Sequence, residues 1–366
     1  MEFQYWNKLF TTQELVPFNH NSEGILWLKI KSIIRKDLIE EFQEYSHRPL
    51  CSSGVNKQFE EIYNTLKDDL SSSHKLLDNF IKSKDTIYRN SINPEQLESE
   101  LYKLKFFDWG GDYQNSLDKY LVRKYIKTEK CSYNDLMSKF ESEVLPTVQH
   151  YVCNSWYNYW SSVLIENVFR EHKRVIAGLG RIKSVDFFID QVPFDLKVTY
   201  LPSEYIKQKR KEFGYPVELT YLKKHARLLG MAFDSNASDS DIHHEIIEKL
   251  KDRGKTNIIE ELSKQHLMIL NDACKHPKEL AKWLYENQGE MRFGAENRIY
   301  LILVDNRDVQ NSWKLKRNLT LLRPIIHKHL DAFDSNQIDS LRVDFTYKLH
   351  KYQALSDVIF IVNDSK

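Results

Sequence analysis

The sequence predicts an α/β (α+β) protein, with an all-helical N-terminal region followed by a mixed sheet flanked by helices. Three observations carry this. Through the first 150 positions apolar residues recur at three- and four-residue steps, the spacing of one helix face. Short β-branched and aromatic runs bounded by turn residues begin only near residue 174. Helical spacing then returns from 203 to about 290 before a last group of apolar strands, so a helical insertion interrupts the sheet.

In order, ILWLKIKSIIRKDLIEEFQEY (25–45) and NKQFEEIYNTLKDDL (56–70) read as amphipathic helices. SINPEQLESELYKL (91–104) carries start chemistry, with Pro94 after Asn93 and acids in the first turn. A turn is expected at Gly110-Gly111. The many aromatics of this region read as helix-contact residues. NSWYNYWSSVLIENVFREH (154–172) is a further helix, with Trp156, Trp160, Val163 and Asn167 on one stripe. RVIAGLGRIK, VDFFID and PFDLKVTYL follow as strands, then the insertion, then the strand RIYLILVD (298–305). The helix SWKLKRNLTLLRPIIHKHLDAF is expected to kink or break at Pro324. LRVDFTYKL and DVIFIVND close the sheet. The expected division is a helical region over 1–150 and an α/β core over 151–366, with its insertion at about 203–290.

Composition excludes several classes. Hydrophobic residues are 41% and charged residues 29%, with 11 Gly and 9 Pro, which rules out collagen-like and Pro/Gly-rich disordered chains. No apolar stretch approaches the roughly 20 residues that span a bilayer. MEFQYWNKLF has an acid at position 2 and no apolar core, so a soluble, cytoplasmic protein with no membrane partner is expected. Cys51, Cys131, Cys153 and Cys274 are scattered without a CxxC pair, and buried, inert thiols are expected. The net charge of +1 announces no polyanionic partner by itself.

The chemistry is concentrated in SVDFFIDQVPFDLKVTYLP (184–202). If VDFFID and PFDLKVTY form a hairpin turning near Asp190-Gln191, then Asp195, Lys197 and Thr199 share one face by the two-residue period. A two-residue turn sets Asp186 opposite Asp195, and a turn two residues longer sets it opposite Lys197. Paired carboxylates on an apolar hairpin repel and lose hydration. A divalent cation held by both is one compensation, since hard oxygen ligands suit Mg²⁺. Such a cation polarises a phosphoryl oxygen and supplies a hydroxide nucleophile, with Lys197 orienting the water. The competing arrangement is an ion pair in which Lys197 merely neutralises Asp195. Carboxylate-x-Lys also occurs at Glu171/Lys173 and Asp364/Lys366, but only Asp195/Lys197 lies in an apolar strand with another acid on the strand before it.

Over residues 155–202, the order of a helix with an acid, a strand, VDFFI, a turn and FDLK resembles the PD-(D/E)xK nuclease superfamily. The resemblance implies a restriction-endonuclease-like core. It also implies metal ligation by Asp186 and Asp195, catalysis by these with Lys197, and an auxiliary role for Glu166 on the preceding helix as ligand or base. Val185 stands where the family name has Pro, and Asp190 is an alternative first acid. The implied function is a Mg²⁺-dependent endodeoxyribonuclease (Mn²⁺ substituting) acting on double-stranded DNA, of a type II-like restriction or antiviral defence kind. A homodimer would account for cutting both strands of a palindrome. A ribonuclease or structure-specific nuclease on the same core, and a non-catalytic DNA-binding or assembly protein, are the alternatives.

From 197 to 227 there are eight Lys/Arg against three Glu, which suits a polyanion or simply a solvated helix face. Lys207, Lys209, Arg210 and Lys211 are the nucleic-acid-binding candidates. His243-His244-Glu245 reads as the capped start of a helix. Gly178 and Gly180 lack the remainder of a phosphate loop, so no nucleotide cofactor is expected.

Overall fold

A computed structural model describes residues 2–105, 117–126, 133–180, 182, 184–287, 295–306 and 309–363. The expected turn at Gly110-Gly111, Cys131 and the Asp364/Lys366 pair lie outside the described residues. The protein is mixed α/β. Among the described residues the strands are β1 (Val175–Ala177), β2 (Phe187–Ile189), β3 (Val192–Tyr200), β4 (Arg298–Asp305), β5 (Arg342–Tyr347) and β6 (His350–Asn363). They form one six-stranded sheet in the order β1-β2-β3-β4-β6-β5, antiparallel at both ends and parallel through β3-β4-β6. No strand precedes residue 174 among the described residues, and helices fill 203–287 between β3 and β4, as expected. Among the described residues no helix is long and apolar enough to cross a membrane.

Local sequence explains the sheet. Between its charged ends β4 is apolar and buried from Ile299 to Val304, because a parallel strand is covered on both faces. β5 alternates exposed and buried positions, as an outermost antiparallel strand does. The β2–β3 hairpin turns on Asp190 and Gln191, both at positive φ (44° and 76°), the two-residue geometry that matches strand twist. Gly178 and Gly180 follow β1 for a packing reason. A Cβ would stand 2.8 Å from the Val185 carbonyl oxygen at Gly178 and 2.4 Å from that of Ser32 at Gly180.

The chain divides into two compact units, Met1–Lys8, Pro17–Phe194 and Trp313–Ser335 in one, and Leu9–Val16, Asp195–Ser312 and Asn336–Lys366 in the other. The expected boundary at residue 150 falls inside the helix Leu145–Arg170, which belongs wholly to the first unit. The first unit is centred on aromatic contacts: Trp27 lies 4.9 Å from Phe59 and 6.0 Å from Phe18, and Trp6 lies 4.9 Å from Phe18. The second has two cores. One gathers Ile302, Val304, Val343 and Val358 of the sheet with Leu280, Leu284 and Tyr285 of the helix Pro277–Asn287. The other joins Leu222, Ile246 and Leu262 of three insertion helices.

Four sequence expectations change. Residues 25–45 form two helices, Ser22–Ser32 and Lys36–Ser46, because Arg35 is extended (φ −144°, ψ 142°) and starts the second afresh. The helix Leu319–Ala332 does not break at Pro324, which lies in its second turn and forfeits only one backbone bond. On Leu145–Arg170 Asn167 is buried as expected, but the buried face also carries Tyr157, Ser161, Leu164 and Val168, while Trp156 is exposed. The Tyr157 hydroxyl helps set that rotation by donating to the Trp313 carbonyl (2.9 Å). Finally, Cys51 and Cys274 are exposed and Cys153 is half-buried, so the expectation of buried thiols fails for the three described cysteines.

Candidate active site

In the second unit Asp195 is the pivot. Its N–H donates to the Asn297 carbonyl (2.9 Å), and parallel pairing sets Asp195 beside Arg298 and Lys197 beside Tyr300. Register partners on neighbouring strands share a face, so Asp195, Lys197, Arg298 and Tyr300 project together. Lys197 Nζ donates to Asp195 Oδ1 at 3.1 Å. The Asp195 side chain is buried, whereas Lys197 keeps 43% of its side-chain surface, so the ammonium is the part of the pair open to solvent. The carboxylate and the ammonium of FDLK therefore meet as an ion pair on one face of one strand.

Arg298 completes the cluster and was not singled out in the sequence. Its Nε lies 3.4 Å from Asp195 Oδ2, and its Nη2 donates to Glu296 Oε2 at 2.6 Å. The guanidinium also lies 5.1 Å from the centroid of the Tyr285 ring, and the Tyr285 hydroxyl donates to the Glu296 carbonyl (2.6 Å). Burial opposes the charge on Arg298, but Tyr300, Tyr285 and Glu296 more than offset it and hold the group firmly protonated. Burial pushes Tyr300 up to about 12. The one sequence signal for Arg298 was a charged residue heading an otherwise apolar strand.

Asp186 lies in the first unit and is half-buried. The hairpin ladder is that of a two-residue turn, and its last pair is Phe187↔Phe194. The Asp186 N–H then donates to the Phe194 carbonyl (2.8 Å), and its own carbonyl accepts from Gly178 (2.8 Å). Two residues thus address Phe194, a bulge-like step that fixes the Asp186 main chain. Asp190 is a turn residue paired with Arg174, whose Nε donates to Oδ2 at 2.9 Å. Glu166 accepts from Arg170 (2.9 Å), and Arg170 also faces Asp85 at 3.8 Å, so Glu166 belongs to an ion-pair network within the first unit. Among the described residues no three His, Cys, Asp or Glu side chains gather closely enough to hold a metal ion. A cation here would rest on fewer protein ligands.

The basic segment resolves residue by residue on the helix Ser203–Glu212. Lys207 and Lys211 are exposed. Lys209 is largely covered and pairs with Asp272 (2.9 Å) and Glu212 (3.2 Å). Arg210 is wholly buried and donates to the Pro216 carbonyl and to Gln265 Oε1, both at 2.8 Å. Arg210 therefore holds the insertion together and does not face solvent. The His243-His244-Glu245 segment lies, as expected, in a capped helix, Asp239–Asp252 with Ser238 as its cap. His243 and His266 both bond the Glu218 carboxylate, at 2.8 and 2.7 Å, which ties three insertion helices together.

The fold and site define a mixed α/β protein with a buried aspartate and a solvent-facing lysine on the first strand of a parallel trio. No family model, curated protein or solved structure matches the chain.

Proposed function

We propose that the chain is a Mg²⁺-dependent endonuclease hydrolysing the phosphodiester bonds of duplex DNA, a restriction-endonuclease-like enzyme of a restriction or phage-defence type. The observation that carries this reading is the Asp195–Lys197 pair. A buried carboxylate and an exposed ammonium stand 3.1 Å apart on one strand, directly after a tight hairpin and beside a parallel strand. The strand order β1-β2-β3-β4, with a helix ahead of β1 and an insertion ahead of β4, is compatible with a PD-(D/E)xK core.

Asp195 would offer the cation a carboxylate oxygen, a hard ligand of the kind Mg²⁺ or Mn²⁺ takes. When bound, the cation supplies Lewis acidity and lowers the pKa of a bound water. Lys197 orients the attacking water and steadies charge on the phosphoryl oxygens. Water oxygen bonds to phosphorus and releases a proton to solvent, the phosphorus–oxygen ester bond breaks, and the leaving oxygen takes a proton from solvent. Lys207 and Lys211 supply salt-sensitive backbone contacts.

A second reading is favoured by Arg298. Because a guanidinium already faces Asp195, the cluster also suits a nucleic-acid-binding or assembly protein stabilised by ion pairs. Incubating the protein with plasmid DNA, phage DNA and RNA in Mg²⁺, beside an EDTA control and an Asp195→Ala variant, separates the two. Cleavage lost in both controls supports the nuclease, and the substrate cut distinguishes DNA from RNA. Intact nucleic acid throughout removes the nuclease reading in favour of the second.

A further inference from the structure

We propose that the second unit binds a small neutral molecule in a cleft at the carboxyl ends of β3 and β4, with His266 as its hydrogen-bond acceptor. The ligand is a flat apolar body bearing one O–H or N–H donor, and the site stands apart from the nuclease reading above.

Topology supplies the place. β3 and β4 are parallel, so Tyr200 at the end of one pairs with Leu303 near the end of the other. Crevices beyond the carboxyl ends of parallel strands are where open α/β sheets receive ligands. Here a cleft of about 380 Å³, its open mouth included, is bounded by Tyr200, Leu303 and Val304 of the strands and by Ile206, His266 and Leu270 of two insertion helices. Asp195 stands at the opposite end of the same pairing, about 16 Å away along β3, so the two sites are separate. His266 supplies the chemistry. It lies on the helix Thr256–Lys275 with Leu270 four positions on, so imidazole and apolar wall share one face. Its Nε2 bonds Glu218 Oε2 at 2.7 Å, and His243 Nε2 takes the other oxygen at 2.8 Å. These contacts hold Glu218 ionised. A carboxylate only accepts, so Nε2 of His266 carries the proton and Nδ1 of the neutral ring is an acceptor. Nδ1 makes no hydrogen bond among the described residues. Anchoring one ring nitrogen to a carboxylate also fixes the direction of the other. Among the described residues no Lys, Arg, Asp or Glu bounds the cleft, so a charged ligand finds no counter-charge there. A neutral donor on an apolar ring satisfies both halves of the lining. Its O–H or N–H meets Nδ1, and its ring replaces water against Leu270, Leu303 and Val304.

Phenol is the probe, titrated into the full chain at about pH 8, where an ordinary imidazole is neutral. Calorimetry reads the affinity, and the histidine ring nitrogen resonances read the contact. Saturable binding with a Kd in the millimolar range or tighter is expected, together with a shift of the Nδ1 resonance that His266→Phe removes. Anisole keeps the ring but lacks the donor, and should bind at least about fivefold more weakly. Benzoate should not compete. His266→Phe should weaken phenol to the level of anisole. Absence of saturable phenol binding leaves the cleft to water and overturns the proposal, as does anisole or benzoate binding as tightly as phenol. If His266→Phe does not fold, Ile206→Trp decides, since Ile206 is half-buried on the cleft wall. The larger side chain should abolish phenol binding, whereas undiminished binding places phenol elsewhere and refutes the site.

Discussion

Lys29, completely buried on the helix Ser22–Ser32, donates to Oε1 of Gln191 at the tip of the β2–β3 hairpin. The same ammonium bonds Asp78 of the helix Leu70–Asn90, and Gln191 donates to Asp78 Oδ2 at 3.2 Å. Three elements of the first unit are therefore fastened at one charge. Burial pulls the Lys29 pKa down, and Asp78 works against that pull. Removing the anion should cost more than removing the cation. Asp78→Ala leaves a buried ammonium without its counter-charge, a loss on the order of 3–5 kcal/mol. Lys29→Met leaves a carboxylate that still reaches solvent, and should cost less. Urea denaturation of the two variants checks the order.

Glu218 makes the insertion sensitive to acid. Burial would raise its pKa, but hydrogen bonds and charge from His243 and His266 win and hold it well below the ordinary 4.5. For a carboxyl depressed in the folded state, the stabilisation is fully present above the unfolded value and is lost as pH falls beneath it. The protein should therefore lose stability below about pH 4.5 more steeply than Glu218→Gln does. Unfolding free energies between pH 3 and 6 give the comparison, and parallel slopes would exclude the effect.

Lys316 should act at the alkaline end. Burial brings its pKa down to about 8, although Nζ donates to Asn158 Oδ1 at 2.9 Å. From about pH 8 to about 10.5 the unfolded chain holds a proton that the folded chain has released, so stability rises with pH across that window. The gain is about 3 kcal/mol at most. Lys316→Met should lack the rise, and the difference between the two stability profiles from pH 7 to 11 measures it.

What the sequence made legible was local. The two-residue turn at Asp190-Gln191, the apolar strand at 298–305 and the meeting of Asp195 with Lys197 all depend on neighbours in the chain, where periodicity and turn chemistry speak directly. Arg298 was illegible because its partner Asp195 lies 103 positions earlier, and the parallel register of β3 and β4 brings them together. The division of the chain was hidden for the same reason. Residues 313–335 return to the first unit after the insertion, and no compositional change marks that return.

Arg210 and Lys211 show the limit of reading charge from a run, since adjacent residues on one helix point to opposite environments. Arg210→Ala should destabilise the insertion by about 1–3 kcal/mol through the stranded Pro216 carbonyl and Gln265. The Lys207→Ala/Lys211→Ala double variant should leave stability within about 0.5 kcal/mol. If these exposed lysines meet phosphates, the slope of log affinity against log salt falls by about 0.9 for each lost contact with duplex DNA. Fluorescence anisotropy over a salt series reads that slope, and an unchanged slope removes both lysines from the interface.

Lys197 offers the sharpest separation of chemistry from stability. Its side chain is 43% solvent-exposed, and its partner Asp195 keeps Arg298 nearby when Lys197 is lost. Because only the lysine side of the pair is solvated and Arg298 still faces the buried carboxylate, losing Lys197 should cost on the order of 1 kcal/mol. Lys197→Met should therefore fold with near-parental stability while cutting DNA at least about a hundredfold more slowly, the usual scale for losing a group that stabilises charge in the transition state. Its Mn²⁺ affinity should not fall, because Lys197 competes with the cation for Asp195. A stable Lys197→Met protein that cuts at the parental rate would confine this lysine to neutralising Asp195.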